Sequence, residues 1–190
     1  MIRIAVVGDI GSGKSFISNL FNLPVFNADF EVVNIYKKNK SCFEKIKKTI
    51  PNYFSNFPLK KKELIESIMA DKNNLKKISK IVHPIVRKRL NHFLKKNKNK
   101  KMVVLDIPLY FENKLNKKDD IVIYVEAKKK QIIKQLKKRK NFNLSLINQF
   151  KSLQFSLKYK KIKSNFIIKN DYKIRTVKKN IKEILQKIKK

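Results

Sequence analysis

"GDIGSGKS", Gly8 to Ser15, holds every glycine of the chain: Gly8, Gly11 and Gly13. Average usage is roughly 7%, so a residue withheld from all other turns is concentrated in one place. The stretch matches the phosphate-loop pattern Gly-x4-Gly-Lys-[Ser/Thr] at each fixed position, and each residue type has a physical reason. Glycine reaches backbone dihedrals closed to other residues and lets main-chain N–H groups approach phosphate oxygens. A helix starting near Lys14 aims free N–H groups and its positive dipole end at the same anion. Ser12 and Phe16 add backbone donors, Lys14 bridges the β- and γ-phosphates, and the Ser15 hydroxyl can ligate Mg²⁺. The loop thus predicts ATP as the ligand, with Mg²⁺ as the cofactor.

The flanks fit that reading. "IRIAVV", Ile2 to Val7, is a continuous β-branched run, the pattern of a strand covered on both faces. After the loop, Phe16, Ile17, Leu20 and Phe21 recur at helical spacing. Further strands are expected at Pro24 to Asp29, Met102 to Leu109, Asp120 to Ala127 and Asn165 to Lys169. From Phe30 to about Lys98 apolar clusters recur at helical periods, with breaks expected at Pro51, Pro58 and Pro84. Lys128 to Lys163 reads as two basic amphipathic helices joined near "NFNLS", and "TVKKNIKEILQKIKK" as a closing helix. Strands alternating with helices predict an α/β fold, a three-layer arrangement around a parallel five-stranded sheet. The expected division is a core of residues 1–29, 99–127 and 164–190, a helical insertion 30–98, and a basic segment 128–163. The charged run "KKNKNKK", Lys95 to Lys101, is the best internal linker.

Hydrophobic content of 42% and 13 Phe argue for a packed globule. Cys42 is the only cysteine, so no internal disulfide forms and a reducing compartment is the default. No apolar run approaches the roughly 18 residues of a membrane span. The apolar run before Gly8 is short for a signal peptide. A soluble cytosolic protein is expected, with a monomer favoured. The formal charge of +34 admits a nucleic-acid surface. However, all but five of the 48 basic residues are lysine, dispersed along the chain, and Asn and Ile are abundant. Coding bias explains that pattern better, and no aromatic-basic strand pattern suited to base stacking accompanies it. No dedicated nucleic-acid partner is expected, although the field favours anionic ligands.

A phosphate loop alone does not separate kinases, motors and switches. "FNADF" places Asp29 at the carboxyl end of the expected second strand, the sheet edge where ligands of open α/β sheets sit. A carboxylate there can take a proton from an acceptor hydroxyl as the phosphoryl group departs, and it can equally cap the next helix. Asp106, after the third strand, is either a plain strand-end acid or a water-mediated Mg²⁺ ligand. His83 before Pro84 reads, by itself, as a helix-boundary residue.

"GDIGSGKS", "NADF", "IVHPIV", "VVLDIPLYFEN" and "FIIKN" follow one another in an order and spacing that resemble the dephospho-CoA kinases. That family is similar in fold to nucleoside monophosphate kinases. The resemblance runs from Met1 to about Asn170; its loop is generic, and the His-Pro pair and "PLYFEN" are its specific part. It implies transfer of the ATP γ-phosphate to the ribose 3′-hydroxyl of dephospho-CoA, with Asp29 as general base. It implies that 30–98 is an acceptor lobe and 128–163 a lid. His83 and Pro84 would lie in the acceptor region, with Asp106, Pro108 and Leu109 beside the active site and Glu112 in the same motif. Arg139 would be the lid arginine over the phosphates, Gln154 and Lys160 keep the family's spacing, and Asn170 would stand near the adenine. Arg87 and Arg89 suit either acceptor phosphates or an exposed helix face.

Two positions depart from the family pattern: Asp9 stands where Gly is usual, and Asn27 where Asp is usual. Asp9 puts negative charge near a phosphate cradle, so it should point outward or weaken ATP binding. The competing readings are a kinase of nucleoside monophosphates or another small hydroxyl acceptor, a nucleic-acid-binding ATPase, and an inactive relative that keeps nucleotide binding alone.

Overall fold

A computed structural model describes residues 1–138 and 142–188. Five strands form one parallel sheet: β1 (Ile2–Gly8), β2 (Val25–Asn27), β3 (Met102–Asp106), β4 (Ile121–Glu126) and β5 (Phe166–Lys169). Their order is β2-β3-β1-β4-β5, so the chain crosses to one side of β1 and later to the other. That reversal is a switch point, and it leaves a crevice beyond the carboxyl end of β1. The expected parallel α/β fold is what the chain adopts.

Along β1, successive side chains point to opposite faces. Ile4 and Val6 on one face, and Ala5 and Val7 on the other, are all buried, so the strand is covered on both sides. Ile4 and Val6 join a core with Ile17 and Phe21, which border or belong to α1 (Lys14–Leu20), and with Val177, Ile181 and Ile184 of α9 (Ile174–Ile188). The last three recur on one helical face, and the exposed lysines of α9 lie on the other.

Contacts divide the chain into two compact units, Met1–Asn27 with Asn97–Lys190, and Ala28–Lys96. The second is helical: α2 (Ala28–Lys38), α3 (Lys40–Thr49), α4 (Lys61–Ala70) and α5 (Lys72–Lys96). The other three helices all pack on α5, through Leu75, Ile78, Val82 and Leu90 on its buried side.

Several boundaries differ from the sequence reading. The second strand stops at Asn27, and Asp29 is the second residue of α2 rather than a strand end. Asp29 and Glu31 in a first turn complement the helix dipole, which favours a helix there. The third strand likewise ends at Asp106, leaving Pro108 and Leu109 in the turn that follows. Pro84 does not break its helix; α5 runs through it. The proline is exposed while its neighbour Val82 is buried, so packing of the apolar side carries the helix past the missing N–H. Among the described residues of the basic segment there are three helices, not two: α6 (Lys129–Lys137), α7 (Leu144–Ser152) and α8 (Leu157–Ile162). The extra boundary comes from Ser156, whose side chain caps α8 by accepting from the Tyr159 N–H.

Candidate active site

The glycine-rich loop links β1 to α1 at the switch point. Gly13 is the N-cap of α1 at φ 91°, and no side chain caps that helix end. A Cβ at Gly13 would lie 2.3 Å from Asn170 Nδ2, and one at Gly8 would lie 2.7 Å from the Val125 carbonyl oxygen. Neither position admits a side chain, for want of space as well as backbone freedom. Lys14 is buried; its Nζ donates to the carbonyls of Asp9 at 2.8 Å and Gly8 at 3.3 Å. Ser15 is exposed and Phe16 half-buried. Ser12 is fully buried, and its N–H closes a turn onto Asp9 O at 3.2 Å.

Asp106 ends β3 at the same sheet edge, in register with Val6 of β1 and Asn27 of β2. Its carboxylate is buried and accepts from Asn27 Nδ2 at 2.6 Å. An aspartate at 27 would put two carboxyl groups in that contact, where like charges resist joint ionisation; the amide makes it a hydrogen bond instead. Asp9 also finds partners. Its Oδ1 accepts from the Ile10 N–H at 2.7 Å, and its Oδ2 lies 3.4 Å from Lys151 Nζ on α7. Tyr124 on β4 has its hydroxyl pKa raised, by burial first and then by the Glu126 and Asp9 carboxylates.

Glu112, Gln154 and Lys160 come together although 48 residues separate the first from the last. Lys160 is fully buried, with Nζ 2.9 Å from Glu112 Oε1, 3.0 Å from Gln154 Oε1 and 3.5 Å from the Pro108 carbonyl oxygen. Glu112 Oε1 also accepts from the Phe155 N–H at 2.7 Å. The turn after β3, with half-buried Pro108 and Leu109, is thereby bolted to the α7–α8 segment.

Asn170 follows β5 and is buried; its Nδ2 donates to Ser12 O at 2.7 Å. Tyr172, which no sequence motif singled out, donates its hydroxyl to Gly11 O, also at 2.7 Å. In the helical unit, Asp29 and Pro84 are exposed and His83 half-buried on α5. Arg87 is exposed, and Arg89 is engaged by Glu31 of α2 at 2.6 Å. Arg139 lies outside the described residues.

The dephospho-CoA kinase family model matches residues 2–176. The chain belongs to the dephospho-CoA kinase family. Among its relatives, the dephospho-CoA kinase of Wolbachia pipientis wMel is 30% identical, covering 97% of each chain. That of Bartonella henselae is 32% identical over 87% of each, and that of Bacillus cereus 31% over 98% of this chain and 96% of the other. Solved structures add the fold. TT1252 from Thermus thermophilus superposes with TM-score 0.78 at 24% identity, covering 98% and 97% of the two chains. The dephospho-CoA kinase from Campylobacter jejuni gives 0.64 at 24%, covering 98% and 96%. Shikimate kinase from Acinetobacter baumannii gives 0.52 at 15%, covering 99% and 93%, so the fold is shared with that protein. As a member of the dephospho-CoA kinase family, the chain is an ATP-dependent kinase. Among the described residues no helix is long and apolar enough to cross a membrane.

Proposed function

We propose that this protein transfers the γ-phosphoryl group of ATP to the ribose 3′-hydroxyl of dephospho-CoA, completing coenzyme A. The family match over residues 2–176 carries that reading. Gly8, Gly11, Ser12, Gly13, Lys14, Ser15 and Phe16 form the nucleotide loop. The Asp29 carboxylate accepts the proton of the 3′-hydroxyl as its oxygen forms a bond to the γ-phosphorus and the bond to ADP breaks. The hydrogen bonds that Lys14 makes to the main-chain oxygens of Gly8 and Asp9 can be exchanged for oxygens of the β- and γ-phosphates. His83 and Pro84, in an acceptor lobe spanning 30–98, and Asp106, Pro108 and Leu109 border the acceptor. Arg139, in a lid over 128–163, closes on the phosphates and helps to exclude water as a competing acceptor.

The donors at the sheet edge suit Mg²⁺. The exposed Ser15 hydroxyl and the Asp106 carboxylate are hard oxygens, and Mg²⁺ characteristically keeps waters and substrate phosphates around one or two protein oxygens. When bound, Mg²⁺ supplies charge neutralisation across the transferring phosphates. The +34 charge draws both polyanionic substrates toward the protein.

A coupled ADP-release assay with an acceptor panel of dephospho-CoA, AMP and shikimate tests the assignment. Turnover with dephospho-CoA well above the others is expected. Equal or better turnover with another acceptor would overturn it. Replacement Asp29→Asn is expected to lower kcat by about 10²- to 10⁴-fold; unchanged kcat would remove Asp29 as the base.

A further inference from the structure

We propose that Asn170 and Tyr172 are positioning residues that clamp the phosphate loop from outside and set its affinity for ATP. The inference rests on the reading that this loop holds the nucleotide. Two consecutive loop carbonyls are gripped from one turn after β5: Ser12 O by Asn170 Nδ2 and Gly11 O by Tyr172 Oη, each at 2.7 Å. A trans peptide is planar, with C=O and the following N–H pointing in opposite directions. Pinning Ser12 O therefore turns the Gly13 N–H away from the clamp. Pinning Gly11 O turns the Ser12 N–H away too, and there it meets Asp9 O at 3.2 Å. Two peptide planes of the cradle are thus set by side chains that lie outside it.

The clamp is itself held. Tyr172 N donates to Asn170 Oδ1 at 2.8 Å, which fixes the amide with its donor end toward Ser12. Asn170 N donates to Glu126 O at 2.7 Å, tying the turn to the end of β4. Tyr172 takes φ 62°, a left-handed conformation disfavoured for a tyrosine. Strain of that kind persists where surrounding contacts over-determine it, and here those contacts run to the loop. Closeness gives a further sign. The space beside Gly13 is filled by Asn170 Nδ2 and, 3.4 Å from where a Cβ would stand, by the Tyr172 ring. With a bond at each end of its buried amide, Asn170 is held in a fixed orientation against the loop.

The test is equilibrium binding of ATP with magnesium to the full chain, alongside dephospho-CoA binding and thermal melts. Tyr172→Phe removes the hydroxyl that donates to Gly11 O and keeps the ring, so ATP binding is expected to weaken about fivefold. Dephospho-CoA affinity should stay the same, and in turnover KM for ATP should rise while kcat holds within about twofold. Tyr172→Gly relieves the strained backbone while losing the hydroxyl; it should melt no lower than Tyr172→Phe and still bind ATP weakly. Asn170→Ala should weaken ATP binding at least as much as Tyr172→Phe. ATP affinity within twofold of wild type in both Tyr172→Phe and Asn170→Ala would overturn the clamp. So would a parallel fall in dephospho-CoA affinity and melting temperature in Tyr172→Phe, the mark of a merely structural contact. Failure of the wild-type chain to bind ATP would instead strike the nucleotide reading itself.

Discussion

Among the described residues two lysines are withdrawn from water in the sheet-bearing unit, and they make different kinds of bond. Lys14, 8% exposed, donates to main-chain oxygens of its own loop, at Gly8 and Asp9. Lys160, 0% exposed, meets a carboxylate from a distant segment, together with an amide oxygen and a carbonyl. Neutral carbonyls can be given up for phosphate oxygens without stranding a charge. Glu112 cannot be left in that way, because a buried carboxylate without its cation is strongly unfavourable. One residue type thus serves as an exchangeable donor at the phosphate loop and as a fixed strut between the β3 turn and α8.

The largest effect is expected at the strut. Lys160→Ala should lower unfolding free energy by about 3–5 kcal/mol, measured by chemical denaturation. Removing the charge as well, in Lys160→Met with Glu112→Gln, should recover much of that loss, since the glutamine keeps an acceptor for the Phe155 N–H. A Lys160→Ala chain as stable as wild type would break the comparison from its structural side.

Next in size is the exchangeable lysine. Lys14→Ala should cut kcat by about 10²- to 10³-fold, the scale of losing one preorganised donor to a developing charge. Its unfolding free energy should fall by less than that of Lys160→Ala, because its bonds at Gly8 and Asp9 are to neutral carbonyls. Denaturation as severe as that of Lys160→Ala would show that both lysines are struts.

The sequence announced the first lysine far more clearly than the second. Lys14 sits in a pattern whose spacing states its chemistry, and the β-branched runs around Ile2, Met102 and Asp120 located three strands of the sheet. The family resemblance also marked Gln154 and Lys160, but nothing local says that Lys160 is buried or that Glu112 meets it. Such partners are chosen by the fold, as is Asp120, which is 117 residues from Arg3. Asp29 was drawn into a strand because "PVF" is β-forming; the acidic first turn of α2 was the competing signal. Tyr172 gave none, since left-handed positions usually advertise themselves as glycine or asparagine.

Arg3, Tyr110 and Asp120 form a second fixed cluster and extend the comparison to pH. Arg3 reaches Asp120 at 2.7 Å and the Tyr110 hydroxyl at 3.0 Å, and that hydroxyl donates to Asp120. Burial, followed by the bond to Asp120, pushes the Tyr110 hydroxyl well above the ordinary tyrosine value, and burial does the same to Tyr36. A pKa raised by folding gives stability that is complete below the unfolded value of about 10 and is lost as pH climbs toward the folded one. Phenolate absorbance from these two residues should therefore lag until the native circular dichroism signal collapses. Tyr110→Phe should remove one late-titrating group and lower stability by about 1 kcal/mol. Ionisation of both with the fold intact would mean that this cluster is exchangeable too.

The smallest effect belongs to a pair that stands between the two kinds. Asp9 and Lys151 lie 3.4 Å apart, with 15% and 43% of their side chains exposed. Half-exposed pairs of this sort contribute about 0–1 kcal/mol and weaken with salt, so neither side chain is a strut. Asp9→Asn keeps an oxygen for the Ile10 N–H and removes the negative charge beside the cradle. ATP should then bind about two- to threefold more tightly at low ionic strength, and the gain should shrink in about 0.5 M salt. Lys151→Ala leaves the Asp9 charge unbalanced and should shift affinity the other way by a similar factor. Weaker ATP binding in Asp9→Asn would reverse the assignment: it would mean that Asp9 helps to hold the loop in its working shape, as Asn170 and Tyr172 do from the opposite side of those peptide planes.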